Sequence, residues 1–321
     1  MSYPTFDRSH LRVLPLGQRQ HDVSLADIRA LDAPLAPYDS ADLRTLADRI
    51  LAARAANRPV IVALGAHVLK VGLSRFVIDL IRRGLVTHVA GNGAVGIHDF
   101  ELSLIGATTE SVARYISDGQ FGLWTETGRI NDVARAAAAE GIGFGEALGR
   151  EIASADYPYR DLSIFAAAYE CRVPATIHVG IGYDIIHEHP NCDGAALGAA
   201  SYTDFLVMTQ SVTELEGGVY LTFGSAVMGP EVYLKALAMA RNVAYQEGRE
   251  IAHFTTAVFD LVALGDHTHE APRSDPRYYY RPFKTILVRT VQDGGQSYYF
   301  EADHRVTLPN IHSLLTKPGA H

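Results

Sequence analysis

Residues 177 to 194 read IHVGIGYDIIHEHPNCDG and crowd three histidines, two aspartates, one of the chain's two cysteines and a G-x-G into eighteen positions. A histidine moves a proton near neutral pH, so Asp184, His187 and His189 are candidates for acid/base or binding work. The spacing His187-x-His189-x-x-Cys192 also suits zinc, with His178, Asp184 and Asp193 able to complete a shell. The plain alternative is a polar loop whose side chains contact substrate or backbone.

Other chemistry-bearing residues sit in similar turns. GAHVLK carries His67 and Lys70, and an ammonium in such apolar surroundings is costly without an anionic partner. GNGAVGIHDFE places His98, Asp99 and Glu101 at the start of a helix, where Glu101 suits the helix dipole whatever the function. YYYRPFK puts three tyrosines beside Arg281 and Lys284, either a platform for phosphate or a planar ring or a solvated edge strand. GIGYDI and GNGAVG each fill only part of the dinucleotide fingerprint.

The elements that must position these groups alternate. Ser40 caps ADLRTLADRILAARAAN, whose Leu43, Leu46, Ile50 and Leu51 fall at helical spacing. PVIVALGA then reads as a buried parallel strand. LSRFVIDLIRRG is amphipathic, LVTHVAGNGA is strand into turn, and IHDFELSLIG opens another helix. The region from 108 to 168 reads as mostly helical. PATIHVGIGY, GGVYLTFGSAV, IAHFTTAVFDLV and QSYYFEA are further strands, with helices at about 198–215, over GPEVYLKALAMARNVAYQ and after His304. This grammar predicts a doubly wound, mostly parallel α/β sheet over residues 40–321 as a single domain, preceded by an arm, residues 1–39. Ligands in such folds bind beyond the carboxyl ends of the strands.

Composition bounds the partners. A net charge of −8 gives no global basic field for nucleic acid or an anionic membrane. No apolar run is long enough to span a bilayer, and the N-terminus lacks a signal peptide's order, so a cytoplasmic protein with reduced thiols is expected. The arm's Leu11, Val13, Leu14 and Leu16 are too apolar to be left in water, which predicts an oligomer.

The order of segments resembles the deoxyhypusine synthase family. FGSAVMGPEVYLKALAMARN resembles that family's glycine-rich strand-to-helix segment with its Arg-Asn ending. SDPRYYYRPF resembles its Ser-Asp then Arg-Pro stretch, and YYFEADHRVTLP its Tyr-Ala-Asp turn into the last helix. The resemblance runs over most of residues 40–317. It implies a Rossmann-like domain binding NAD, a homotetramer built as a dimer of dimers, and an arm that covers the neighbour's site. Carried over, the cofactor side would hold Asn92, Gly93, Ala94, Gly224, Ser225, Thr256, Ala257, Ala302 and Asp303, with His67 joining them. His98, Asp99 and Arg281 would face the substrate.

The departures from that family set the expected activity. Counted without gaps, Thr290 stands where the family's imine-forming lysine falls, and Lys284 where an acid helps hold the polyamine. No histidine lies among residues 231–242, and Gly182 stands where the acid after PATIHV would fall. The expectation is NAD-assisted group transfer or elimination on a small anionic molecule, with Asp184, His187, His189 and Lys284 as catalytic candidates and spermidine excluded. The alternatives are a metal-dependent hydrolase or lyase using His187, His189 and Asp184, and a nucleotide-binding protein without catalysis.

Overall fold

The computed structural model describes residues 3–317. Six parallel strands form the main sheet: β1 Val60–Leu64, β2 His88–Asn92, β3 Ala175–His178, β4 Val219–Phe223, β5 Thr255–Asp260 and β6 Gln296–Glu301. Their spatial order is 3-2-1-4-5-6, the order of doubly wound dinucleotide-binding sheets. The direction of winding reverses between β1 and β4, so the switch point lies over their carboxyl ends.

β1 shows why the sheet is covered on both faces. Val60, Val62 and Leu64 pack into one apolar core while Ile61 and Ala63 pack into the other, as alternate side chains of a strand must. The first core takes α1 Ala41–Ala55, α2 Ser74–Arg82, α3 Gly93–Ile105, α4 Arg129–Glu140, α5 Phe144–Ser154, α6 Ile164–Glu170 and α9 His304–Thr316. The second takes much of α7 Gly194–Thr213 and α8 Met228–Gln246. Local chemistry sets the helix ends. Ser40 Oγ accepts from Leu43 N at 3.1 Å to start α1, and Asn92 Oδ1 accepts from Val95 N at 3.1 Å to start α3, each satisfying a free first-turn N–H.

Two regions depart from expectation. YYYRPFK is not an edge strand: Pro276–Tyr279 is a short 3-10 turn, and Phe283–Arg289 is π-helical with Phe283, Ile286 and Leu287 buried in the second core. The arm does not wait for a neighbour. Val23–Ser24 pairs antiparallel with Ala107–Thr108, and Leu16 is buried against Tyr115 and Trp124 of the same chain. Leu11, Val13 and Leu14 are half-buried. Among the described residues no helix is long and apolar enough to cross a membrane.

Candidate functional site

The switch point is floored by backbone. Gly65 N donates to Phe223 O at 2.8 Å and Gly224 N to Phe259 O at 3.2 Å, which extends the ladder one residue past the strands. A methyl group on Gly65 would strike the carbonyl of Gly224, and Gly224 itself has φ +63, so both positions require glycine. Around this floor stand His67, exposed, and His304, buried, with ring centroids 6.1 Å apart. His304 Nδ1 is buried without a partner. Beyond it α8 starts at Met228 with no side-chain cap from Val227. Ser225 Oγ accepts from Gly229 N at 2.9 Å, Glu231 N donates to Val227 O at 3.2 Å and Pro230 has no N–H, so the first turn of this 19-residue helix leaves Met228 N for an anion.

Beside the switch point a cavity of about 250 Å³ is built from the turns after the first three strands and closed by the arm. Lys70 comes from the one-turn helix after β1; Ala94, Ile97, His98 and Glu101 from α3; Tyr183, Asp184 and Ile185 from the loop after β3; Arg19 from the arm. Thr109, Glu110, Val112 and Phe121 complete the wall.

One side of this chamber is a closed buried network. Arg19 donates to Glu101 through two bonds, Nη1 to Oε1 at 2.9 Å and Nη2 to Oε2 at 2.7 Å. Thr108 and Thr127 hydroxyls also donate to Glu101, at 2.6 and 2.9 Å. Burial works against the Glu101 charge, but Arg19, by hydrogen bond and by charge, and the Thr108 hydroxyl outweigh it and hold the carboxyl below its ordinary range. Glu110 accepts from Trp124 Nε1 at 3.0 Å and Gly122 N at 3.1 Å, and burial raises its pKa. His98 Nδ1 meets Thr108 Oγ1 at 2.7 Å. Burial lowers its pKa to about 4, so the ring is neutral.

The loop of residues 177–194 delivers one group to the chamber. Asp184 caps the short 3-10 turn Ile185–Glu188 and sits so close to the start of α3 that a methyl on Gly93 would strike its carboxylate. Burial raises its pKa to about 6, against a hydrogen bond from Ala94 N, so it exchanges a proton near neutrality. His187 Nδ1 accepts from Asp184 N at 3.1 Å and Gly182 N at 3.2 Å, which leaves the proton on Nε2, buried without a partner. His189 is 2% exposed and its Nε2 donates to Gly122 O at 2.8 Å, fastening the loop to the segment before α4. Burial lowers the pKa of both rings.

Several expected positions fall elsewhere. His187, His189 and Cys192 do not converge: each ring is committed to backbone, and among the described residues no group of three metal-ligating side chains occurs. Asp99 is fully buried on the core side of α3 and accepts from Ser163 Oγ, Ile164 N at 2.6 Å and Phe165 N at 3.4 Å. It caps α6 and faces no cavity wall given above. α3 begins at Gly93, so Glu101 lies in its third turn and answers Arg19, not the helix dipole. Thr256 and Ala257 open β5 instead of ending it and are fully buried; the Thr256 hydroxyl donates to Ile286 O at 2.9 Å. The residue at that carboxyl edge is Asp260.

Ala302 and Asp303 do follow β6, but Asp303 caps α9 and pairs with Arg305 at 2.7 Å. The Arg305 hydrogen bond lowers its pKa to about 2. Arg281 pairs with Glu231 at 3.0 Å, and Lys284 lies 3.9 Å over the Tyr278 ring. These two serve the β4–β5 half of the sheet, whereas Asp184 and His187 serve the β2–β3 half. Asn92, Gly93 and Ala94 lie at the end of β2 as expected. Arg19, Thr109 and Glu110 were not legible as site residues, because only the folded arm and the Ala107–Thr108 pairing bring them in.

No protein-family model and no curated protein matches this sequence. Solved structures do match the fold. An arginine dihydrolase, ArgZ, from the ornithine-ammonia cycle in cyanobacteria is 14% identical with a TM-score of 0.51, over 88% of this chain and 33% of its own. Unliganded AgrE matches at 14% identity and TM-score 0.53, over 88% and 34%. AgrE solved with ornithine and NAD+ matches at 14% and 0.51, over 87% and 34%. The chain thus spans about a third of the length of these proteins. Together with the strand order they define a Rossmann-like, doubly wound α/β fold. A deoxyhypusine synthase candidate from Entamoeba histolytica also matches, at 7% identity and TM-score 0.39 over 80% and 74%, too slight a likeness to carry that family.

Proposed function

We propose that the chain is an NAD-assisted enzyme that carries out group transfer or elimination on a small molecule bearing a negative charge, on a diverged deoxyhypusine synthase plan that no longer makes deoxyhypusine. The observation that carries this reading is the placement of the chamber: Lys70, Ala94 and Asp184, from the turns after β1, β2 and β3, enclose it beside the switch point. A dinucleotide lying over that switch point would end at the chamber. The residues fit such a ligand. Gly65 and Gly224 keep the floor free of side chains, and the start of α8 has Met228 N left to offer a phosphate.

Bound NAD would supply a hydride acceptor or donor. The chain's own part is to hold the substrate's anionic group at Lys70 and to move a proton at the Asp184 carboxyl, while Phe121, Ile97 and Ile185 exclude water. AgrE, which has a similar fold in one part, accommodates ornithine and NAD+. Thr290 supports the loss of the older chemistry: it is buried with its hydroxyl on Thr285 O at 2.9 Å, and threonine cannot form an imine. Calorimetric titration with NAD+ and NADH tests the proposal. Binding in the micromolar range is expected, and no heat with no thermal shift at millimolar cofactor would rule it out.

A further inference from the structure

Resting on the chamber proposed above, we infer that its substrate is an amino carboxylate, held by its carboxylate at Lys70 and Thr109 and by its ammonium at Asp184 and Glu110. The lining charges lead there. Arg19 hydrogen-bonds Glu101 twice and its Nη1 lies 3.8 Å from Glu110 Oε1, so its one positive charge is shared by two carboxylates and one negative charge is left over on that pair. His98, whose one ring nitrogen is held by Thr108, contributes no charge near neutral pH. What remains is one cation, Lys70, against two carboxyls, Asp184 and Glu110.

The Lys70 side chain makes no hydrogen bond or ion pair among the described residues, although the residue is half-buried. Thr109 is the more telling neighbour. It has φ +67, a conformation that a β-branched residue adopts only under strain. Its hydroxyl is buried without a partner. A strained backbone and an unmade hydrogen bond on the same cavity wall are both costs that a bound carboxylate would offset. At the other side Asp184 accepts from Ala94 N and caps the Ile185–Glu188 turn, and it and Glu110, beyond Trp124 and Gly122, retain acceptor capacity.

Other ligand classes meet a like charge somewhere in this space. A phosphate dianion faces Asp184 and Glu110, and a polyamine faces Lys70. A molecule with one charge of each sign satisfies both ends, and a cavity of about 250 Å³ falls just below the roughly 300–1,000 Å³ of drug-sized pockets. Ile97, Val112, Phe121 and Ile185 supply an apolar wall for the carbon chain between the two ends.

The test is a thermal-shift and calorimetric panel on the full chain, with and without saturating NAD+. L-ornithine, L-lysine and 5-aminopentanoate carry both ends; putrescine and spermidine lack the carboxylate; pentanoate lacks the amine. At least one amino carboxylate is expected to bind roughly 10- to 100-fold more tightly than its single-ended analogues, as loss of a charged hydrogen bond implies. Lys70→Met should erase the preference over diamines, Asp184→Asn the preference over pentanoate, and Thr109→Val should weaken the carboxylate end alone. Melting without ligand checks that each variant folds, and Lys70→Arg should keep the preference. Diamines or pentanoate binding as well as the amino carboxylates, an unchanged preference in Lys70→Met, or no binding from any panel member would overturn the inference. Selective amino carboxylate binding without any NAD affinity would sustain it and sink the cofactor proposal instead.

Discussion

At the residue scale, Asp184 is the chamber carboxyl whose environment departs clearly from that of a surface carboxylate. Burial raises its pKa from 3.8 to about 6. The native state therefore binds more protons than the unfolded chain between those values, and stability must fall as pH rises through that window. A shift of about two units corresponds to about 3 kcal/mol. Asp184→Asn, neutral at every pH, should gain relative to the parent from pH 4 to pH 6 and hold that gain above it. Urea denaturation at pH 4, 5, 6 and 7 measures the difference; a gap that stays constant across the series would show that the carboxyl is solvated. His187 and His189 differ in kind despite their spacing. His189→Ala is expected to lose the loop's tie to Gly122 and cost about 1–3 kcal/mol through the unpaired carbonyl, visible as a lowered melting temperature.

At the element scale, the arm and α3 act as one unit. Arg19 and Glu101 are each about 1% exposed at the side chain, and removing one partner of such a pair leaves an uncompensated buried charge. Arg19→Met should cost about 3–5 kcal/mol, and the double variant Arg19→Met, Glu101→Gln should recover most of it; a double-mutant cycle in urea checks both. Asp99, one residue beyond His98 on α3, caps the first-turn Ile164 and Phe165 N–H groups of α6 beside the Ser163 N-cap. Asp99→Ala should cost about 2 kcal/mol as a lost cap, leaving ligand affinity in the chamber unchanged. Weakened ligand binding at unchanged stability would return Asp99 to the substrate side. The helix period explains the difference: adjacent residues point about 100° apart, so His98 lines the chamber while Asp99 faces the core.

At the scale of the whole molecule, the arm's apolar residues no longer argue for a partner, since Leu16 is buried within the chain. The case for an assembly of copies now rests on α7 and α8, whose adjacent outer faces expose Tyr202, Leu206, Met239 and Val243. Light scattering at micromolar concentration is expected to give at least a dimer, and Leu206→Asp with Met239→Asp to give the 34.9 kDa monomer. A monomer in the parent protein would remove the proposal.

The sequence by itself determined the sheet and its winding. Short apolar runs closing on glycine, as in PVIVALGA, and capped helices such as the one opened by Ser40 follow from local spacing, and β-strands alternating with helices leave little choice of architecture. It also singled out Asp184, His67 and the Asn92–Gly93–Ala94 turn, because strand-end turns are marked by glycine and polar residues. Only the tertiary structure decided which of the chemistry-bearing groups meet. Arg19 reaches Glu101 across 82 positions, Thr109 takes a left-handed backbone that no residue type announces, and the bounds of β5, Thr255–Asp260, put Thr256 and Ala257 toward its amino end. Those outcomes depend on long-range packing and on shifts of one or two residues, which local periodicity does not encode.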